Sequence, residues 1–182
     1  GESLDGYDEI NADKKLVMPG GIEAHCHIAQ ESGMGVMTSD DYETGSISAA
    51  FGGNSSFVPF AAQKKGESIS DTVNEYDRRA ETKSVIDYSY HLIITDPNRD
   101  VLDELPSAFE RGITSFKVFM TYATRVSDAQ FLDILTVARR HGGLTMVHAE
   151  NHDMLTWMSN ALTEAGYVEP RFHAPARPGI AE

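Results

Sequence analysis

Two histidines separated by one residue, His25 and His27, follow an apolar segment and are the first candidates for chemistry. Side chains at positions i and i+2 of a strand point to the same side, so both imidazoles can bind one metal ion. The H-x-H pattern is also common at loop entrances, and taken alone it supports a metal site and two unrelated histidines about equally. Cys26 lies between them, points to the opposite side, and is predicted to pack rather than to bind a metal.

Lys117 lies in the middle of an apolar segment, residues 115–120. A lysine is costly to bury unless it is neutral, paired or modified. The common explanation is a buried salt bridge or an amine that reaches solvent. The alternative is a desolvated amine that reacts with carbon dioxide to form a carbamate, whose two oxygens could each bind a metal ion.

His148 ends a further apolar segment, residues 144–148. A single histidine at a strand end is more often structural than a ligand. If the three segments end at one mouth, however, His25, His27, Lys117 and His148 could hold two metal ions about 3.5 to 4 Å apart.

The other histidines and the aromatic residues of the last helix favour structural roles. His91 is predicted to be a hydrogen-bonded core residue, with a smaller possibility of a functional role. Surface or loop positions are predicted for His141, His152 and His173. Helical spacing predicts a core face formed by Met154, Leu155, Trp157 and Met158.

The elements that must position these residues alternate in type. Short apolar or β-branched segments predict strands over 16–27, 54–60, 85–95, 114–120 and 144–148. Helical patterns predict helices that begin near Thr38 or Ser39 and end at 51, and that cover 70–80, 100–111, 127–141 and 153–165. Repeats of about 30 residues in this order indicate βα units and a parallel sheet.

Two α/β architectures fit this alternation. An open dinucleotide-binding sheet predicts a G-x-G-x-x-G turn after the first strand, and none is present, so no cofactor-binding loop of that kind is expected. A (β/α)8 barrel needs about 250 residues and eight units. Five units in 182 residues correspond to a little over half a barrel, and the sequence begins without Met, so we expect part of a longer chain.

Composition narrows the class of protein. The chain has 15 Lys and Arg against 28 Asp and Glu, a formal net charge of −13, which argues against a nucleic-acid partner. No segment approaches the roughly 18 to 20 apolar residues of a membrane helix, and no signal-peptide pattern is present. With a single cysteine, these features predict a soluble, cytoplasmic protein.

Four segments together resemble the cyclic amidohydrolases of the dihydropyrimidinase and D-hydantoinase (phenylhydantoinase) family. They are residues 17–27 (VMPGGIEAHCH), 51–55 (FGGNS), 115–122 (SFKVFMTY) and 147–151 (VHAEN). The resemblance implies that residues 1–15 end a small β-sandwich segment and that 16–182 form the incomplete first part of a (β/α)8 amidohydrolase barrel. It also implies a homotetramer.

The resemblance also implies a mechanism. Members hydrolyse the cyclic amide bond of 5,6-dihydropyrimidines or 5-substituted hydantoins to N-carbamoyl amino acids, using a hydroxide that bridges two divalent metal ions, by default zinc. His25 and His27 resemble the ligands of the buried metal, carboxylated Lys117 the bridge, and His148 a ligand of the second metal. Tyr122 resembles the catalytic phenol that hydrogen-bonds the carbonyl oxygen as it becomes tetrahedral.

Loops 28–37 and 123–126 correspond to those that shape the substrate pocket. The chain also departs from the family: Glu23 stands where an Asp is usual, and we expect Glu23 to lie behind the metal ligands. A further histidine ligand and the catalytic aspartate belong to later strands, so these 182 residues alone are expected to lack full activity.

Three alternatives stay open. Allantoinase and dihydroorotase share the metal scaffold, but dihydroorotase typically has an Arg at the position of Ala29, which disfavours an acidic substrate here. Non-catalytic scaffold relatives lose the metal ligands, whereas this sequence retains those that its length could contain. The residues do not choose between a dihydropyrimidine and a hydantoin as the small cyclic substrate.

Overall fold

The computed structural model describes residues 6, 8–33 and 35–182, in which strands and helices alternate. The strands are Gly21–Cys26 (β1), Asn54–Ala62 (β2), Asp87–Tyr88 (β3), His91–Ile93 (β4), Ser115–Phe119 (β5) and Leu144–His148 (β6). The helices are Tyr42–Phe51 (α1), Ile69–Ala80 (α2), Arg99–Glu110 (α3), Asp128–His141 (α4) and His152–Glu164 (α5). Two short 3-10 turns follow, Pro170–Phe172 and Gly179–Ala181.

The strands form one parallel sheet in the order β1-β2-β4-β5-β6, and β3 pairs with β2 beside this path. All carboxyl ends therefore meet at one edge. The sheet is curled, with helices connecting successive strands on its outer side, which confirms the predicted α/β fold and partial barrel. In such folds the loops at the carboxyl edge carry the functional groups.

The hydrophobic core lies between the sheet and the helices. The strands contribute buried side chains that pack in one cluster with residues of α2, α3 and α4, among them Phe57, Ala61, Leu92, Phe116 and Val118. Because successive strand residues point to opposite faces, the alternate positions form a second, inner face. Parallel register places on this inner face the pairs Phe60 with His91, Ile93 with Lys117, and Phe119 with His148.

Helix starts follow from capping side chains. The predicted box at Ser127 is confirmed, because its hydroxyl accepts from the backbone N–H of Gln130 while the Gln130 side chain accepts from Ser127 N–H. The predicted start of α1 near Thr38 or Ser39 is wrong. Thr38 instead donates its backbone N–H to the Gln30 carbonyl oxygen, beside the antiparallel bridge between Glu31 and Met37, and Asp41 caps the helix.

Two strand predictions need correction. The first strand begins at Gly21 rather than at residue 16, because residues 16–18 pair with no described strand and are exposed. A side chain at Gly20 would lie only 2.5 Å from Ser55 Oγ, so this close approach requires glycine. The segment predicted as one strand over 85–95 is two short strands, β3 and β4, separated by residues 89–90.

The predicted core face of the last helix is only partly present. Leu155 is buried, but Trp157 is 69% exposed, because α5 has no described element against that side. Of the proposed sandwich segment, residues 1–5 and 7 lie outside the described residues, and 6 and 8–15 hold turns without a strand. That assignment stays a prediction. In the described residues, no helix combines the length and apolarity needed to span a lipid bilayer.

Candidate active site

The end of β1 brings His25 and His27 together on the inner face. Their ring centroids lie 5.6 Å apart, and both rings rest on Phe60 of β2, His27 stacked at 4.6 Å and His25 edge-on at 4.8 Å. Phe60 is 1% exposed and forms a rigid base beneath the pair. Cys26 points to the opposite face and packs against the core, which confirms its predicted packing role.

A bulge in β1 lies directly before the pair. Glu23 pairs with Phe57 and Cys26 with Pro59, so three steps along β1 match two along β2. Such bulges re-aim side chains. The carboxylate of Glu23 accepts the backbone N–H of His25 at 2.9 Å. The residue that departs from the family pattern therefore holds the backbone of a proposed ligand rather than its ring.

The hydrogen bonds and the charge state of His25 and His27 bear on whether their rings can bind a metal ion. His27 Nδ1 bonds Gln30 Oε1 at 2.7 Å, which leaves its Nε2 without a hydrogen-bond partner among the described residues. Burial lowers the pKa of His25, and electrostatic repulsion from His27, Lys117 and His91 lowers it further. His25 is therefore held in the neutral form that a metal ligand requires.

Lys117 projects from the middle of β5 onto the same inner face. Burial lowers the pKa of its amine. Within the described residues it has no carboxylate partner, and its Nζ lies 5.3 Å from the ring centroid of Phe119. The salt-bridge explanation is therefore not supported, and a desolvated amine without a counterion suits reaction with carbon dioxide.

His148 ends β6 and is held from outside the sheet. Its Nε2 bonds the Glu150 carboxylate, and the same carboxylate accepts from Arg177. The Nε2 atom of His148 also lies 3.5 Å from the Tyr122 hydroxyl. Burial raises the pKa of Glu150, but the bonds from His148 and Arg177 outweigh it and hold that pKa below its usual value. Nε2 is thus engaged, and Nδ1 is the nitrogen left for a ligand role.

Tyr122 lies in the loop after β5 with its hydroxyl toward His148. Its backbone φ is +70°, the left-handed region that non-glycine residues rarely adopt. The ring packs 6.0 Å from Phe119 and 5.1 Å from His148, and the Arg177 guanidinium covers it at 5.5 Å. These contacts hold a conformation that the backbone alone disfavours.

The proposed ligands fall into two neighbouring groups. His25, His27 and Lys117 lie on one part of the inner face. The two imidazoles rest on Phe60, which pairs with His91 of β4, and Lys117 pairs with Ile93 of the same strand. His148 stacks on Phe119 at 5.8 Å, so the Phe119 ring lies against both His148 and the Lys117 amine. Among the described residues, no three His, Cys, Asp or Glu side chains form a group able to hold a metal ion. A metal site here therefore depends on Lys117.

The donor set nevertheless fits divalent metal ions. Neutral imidazoles suit zinc and similar metals, and a carbamate on Lys117 would add two oxygens. Glu150 on His148 and Gln30 on His27 supply the outer hydrogen bonds that fix the orientation of ligand rings.

A cavity of about 910 Å³ opens beside this face at the carboxyl edge of the sheet. Residues 30–33 and 122–125 line it, so both loops expected to shape a pocket reach the same space. The four proposed ligands are not among its lining residues. Phe119 and Tyr122 join the cavity to the two ligand groups. Arg79, which also lines it, is paired with Glu75 at 3.0 Å.

Known proteins with similar sequences are hydantoinases. D-hydantoinase from Geobacillus stearothermophilus is 41% identical over 98% of this chain, and D-hydantoinase from Streptomyces coelicolor is 36% identical over 100% of it. By sequence and by fold, this chain is a homologue of the D-hydantoinases. No protein-family model matches it. The chain spans 39% of the length of each of these two relatives.

Solved structures with a similar fold are also hydantoinases and dihydropyrimidinases. D-hydantoinase from Bacillus sp. AR9 superposes with a TM-score of 0.92 at 40% identity, covering 99% of this chain and 40% of that one. Dihydropyrimidinase from Brevibacillus agri gives a TM-score of 0.85 at 41% identity, covering 90% of this chain and 36% of its own. The D-hydantoinase likeness therefore extends through the whole arrangement of strands described above.

Several residues that shape the site were not identified from sequence. Gln30 follows His27 by three positions, a spacing that could have suggested a bond to its ring. Glu150 stood inside the VHAEN motif without an assigned role. No local signal pointed to Arg177, which reaches Glu150 from 27 residues further along the chain.

Proposed function

We propose that the protein hydrolyses the cyclic amide bond of 5,6-dihydropyrimidines or 5-substituted hydantoins to N-carbamoyl amino acids. One observation carries the proposal: His25, His27 and Lys117 lie on one inner face, which also contributes Phe119 to the lining of a cavity that Tyr122 lines. In the described residues the Lys117 amine has no carboxylate partner. The names of the homologues, D-hydantoinase and dihydropyrimidinase, support this substrate class.

Two divalent metal ions, by default zinc, are part of the proposal. His25 and His27 would bind one metal ion, and His148 would bind the other. Carboxylated Lys117 would bind both. When bound, such ions lower the pKa of water so that hydroxide forms near neutral pH and stabilise negative charge on a carbonyl oxygen. The homotetramer is likewise proposed from the family resemblance.

The protein residues have separate tasks in this scheme. The Tyr122 hydroxyl donates a hydrogen bond to the substrate carbonyl oxygen as that oxygen gains charge. Loops 30–33 and 122–125 hold the ring and its substituent in the cavity. Water oxygen adds to the carbonyl carbon, the ring C–N bond breaks, and the departing nitrogen gains a proton.

The test uses the complete protein, with metal content and hydrolysis of dihydrouracil and 5-phenylhydantoin measured on one sample. We expect about two metal ions per chain, and Lys117→Ala should lose metal and turnover together. Lys15→Ala is the matched control, because Lys15 is exposed, precedes β1 and does not line the cavity.

Two other results would contradict the proposal and favour a different function. A protein without metal that stays inactive after metal is added would favour a non-catalytic scaffold. Turnover of allantoin or dihydroorotate in place of both ring substrates would favour those amidohydrolases.

A further inference from the structure

His91 of β4 is a buried histidine that the proposed reaction does not use. It is 9% exposed on the inner face, with both ring nitrogens bonded. Nε2 lies 2.8 Å from the backbone oxygen of Ala24, and Nδ1 lies 2.5 Å from Ser115 Oγ. A carbonyl oxygen only accepts, so Nε2 carries the hydrogen and Nδ1 accepts from the Ser115 hydroxyl.

The Ala24 oxygen belongs to the peptide at the β1 bulge. The ladder between β1 and β2 is irregular from Glu23 to Cys26, and a bulge leaves backbone groups without their regular ladder partners. Side chains supply them: His91 donates to the Ala24 carbonyl, and the Glu23 carboxylate accepts the N–H of His25. Both polar groups of the Ala24–His25 peptide are thus held by side chains.

The other end of the His91 contact lies on the strand of the lysine. Ser115 is two residues before Lys117, so both side chains lie on the same face of β5. His91 therefore links the backbone directly before His25 to the strand that carries Lys117. Its ring also packs 5.2 Å from Phe60, on which His25 and His27 rest.

We propose that His91 is a positioning residue that sets the separation between the His25–His27 pair and Lys117. The inference rests on the proposed function. Hydrogen bonds are short and directional, so a ring bonded at both ends fixes the bulged peptide relative to β5. A bulge held only by its own strand would leave the two imidazoles free to turn away from the lysine.

The experiment compares four variants of the complete protein. The amide nitrogen of His91→Gln can occupy the Nε2 position and donate to Ala24, whereas His91→Asn reaches only the Nδ1 position. Ser115→Ala removes the other end with little change in volume. The matched control, His141→Gln, alters an exposed histidine stacked on Phe109 at the end of α4.

The first readout is amide hydrogen exchange over residues 21–27 in the metal-free protein. We expect faster exchange in His91→Asn than in His91→Gln, and no change in His141→Gln. Because this measurement needs neither metal nor substrate, it tests whether His91 holds β1 even if the proposed reaction is wrong. Wild-type exchange in His91→Asn and Ser115→Ala would overturn the inference.

The second readout separates positioning from general destabilisation. In folded His91→Asn, metal affinity measured by chelator competition should fall by about 10- to 100-fold, and kcat should fall while KM changes little. His91→Gln should recover part of both losses. Equal losses in His91→Gln and His91→Asn, or an unchanged metal affinity in Ser115→Ala and His91→Asn, would contradict a positioning role.

Discussion

Tyr122 combines an unfavourable backbone conformation with a hydroxyl placed at the junction of cavity and ligands. At φ +70° a tyrosine is strained, yet the Phe119 and His148 rings and the Arg177 guanidinium pack against its ring, and the residue stays 40% exposed. Strain of this kind persists where surrounding contacts over-determine the conformation, often at functional sites. These contacts orient the hydroxyl, which is what a donor to a developing oxyanion requires.

Tyr122→Phe tests that role. We expect kcat to fall by about 100-fold with metal content unchanged, because the ring still fills its place and only the donor is lost. Steady-state kinetics and metal analysis on the same sample measure both. Tyr167→Phe, a half-exposed tyrosine near the carboxyl end of the chain, should leave kcat unchanged. Wild-type turnover in Tyr122→Phe would exclude the phenol from the reaction.

At the scale of elements, α1 is tied to the following part of the chain through its cap. Asp41 accepts the N–H groups of Glu43 and Thr44, and its second oxygen accepts from Lys83 Nζ at 2.8 Å. The bond from Lys83, followed by the bond from Thr44, lowers the pKa of Asp41 to about 2. The cap therefore joins α1 to the end of α2.

The contribution of the Asp41 cap to the free energy of unfolding depends on pH. A carboxyl group whose pKa is lower in the folded state than in the unfolded state stabilises the fold at pH values above its unfolded-state pKa of about 4. That contribution is lost as the pH falls toward 2. Asp41→Asn should therefore unfold at lower urea than the parent at pH 7, and the difference should shrink between pH 4 and 2. A difference that is the same at both ends of this range would contradict the charged cap.

The carboxyl-terminal turns form a second tie, this time to the site. Ala181 accepts the backbone N–H of Asn151, and Arg177 bonds Glu150, which holds His148. Arg171 in the same segment also forms an ion pair, with Glu169, and its guanidinium covers the Phe172 ring. Unlike Arg177, Arg171 is exposed and its pair does not involve a residue that bonds a proposed ligand. The two arginines thus differ mainly in what they hold.

Arg177→Gln should lower kcat by about 10-fold through the loss of the bond that orients Glu150 and His148. Arg177→Lys should recover part of the loss, since it keeps the charge without the planar fork. Arg171→Gln is the control and should match the wild type. If both glutamine variants lose activity equally, the effect belongs to the segment and not to the Glu150 contact.

At the scale of the molecule, the sheet is open at both sides. In the described residues β1 pairs only with β2 and β6 only with β5, although both carry proposed ligands. The homologues with the same fold are much longer, since the chain spans 39% of the length of D-hydantoinase from Geobacillus stearothermophilus. A strand with one unpaired edge has fewer hydrogen bonds to neighbouring strands and therefore opens more easily than a strand paired on both sides.

The 182-residue chain alone is therefore expected to lack full activity. Assays of the chain beside the complete protein, with added zinc and the same ring substrates, measure the difference. We expect turnover well below that of the complete protein and weaker metal retention. Equal turnover would show that these strands suffice for the reaction.

Much of the fold and part of the site follow from local pattern. The capping box at Ser127, the β5 and β6 segments and the same-side geometry of His25 and His27 depend on residues within a few positions of each other. Such short-range preferences are readable in sequence because neighbouring residues must satisfy one backbone geometry. The placement of Lys117 on the inner face follows from the same alternation.

Tertiary structure alone decided which distant groups hold those residues. His91 meets the Ala24 carbonyl across 67 residues of sequence, and Arg177 meets Glu150 across 27. The bulge that frees the Ala24–His25 peptide arises from how β1 matches β2, which neither strand encodes alone. Periodicity predicts the face on which a side chain lies, whereas its partner depends on where the chain returns in space.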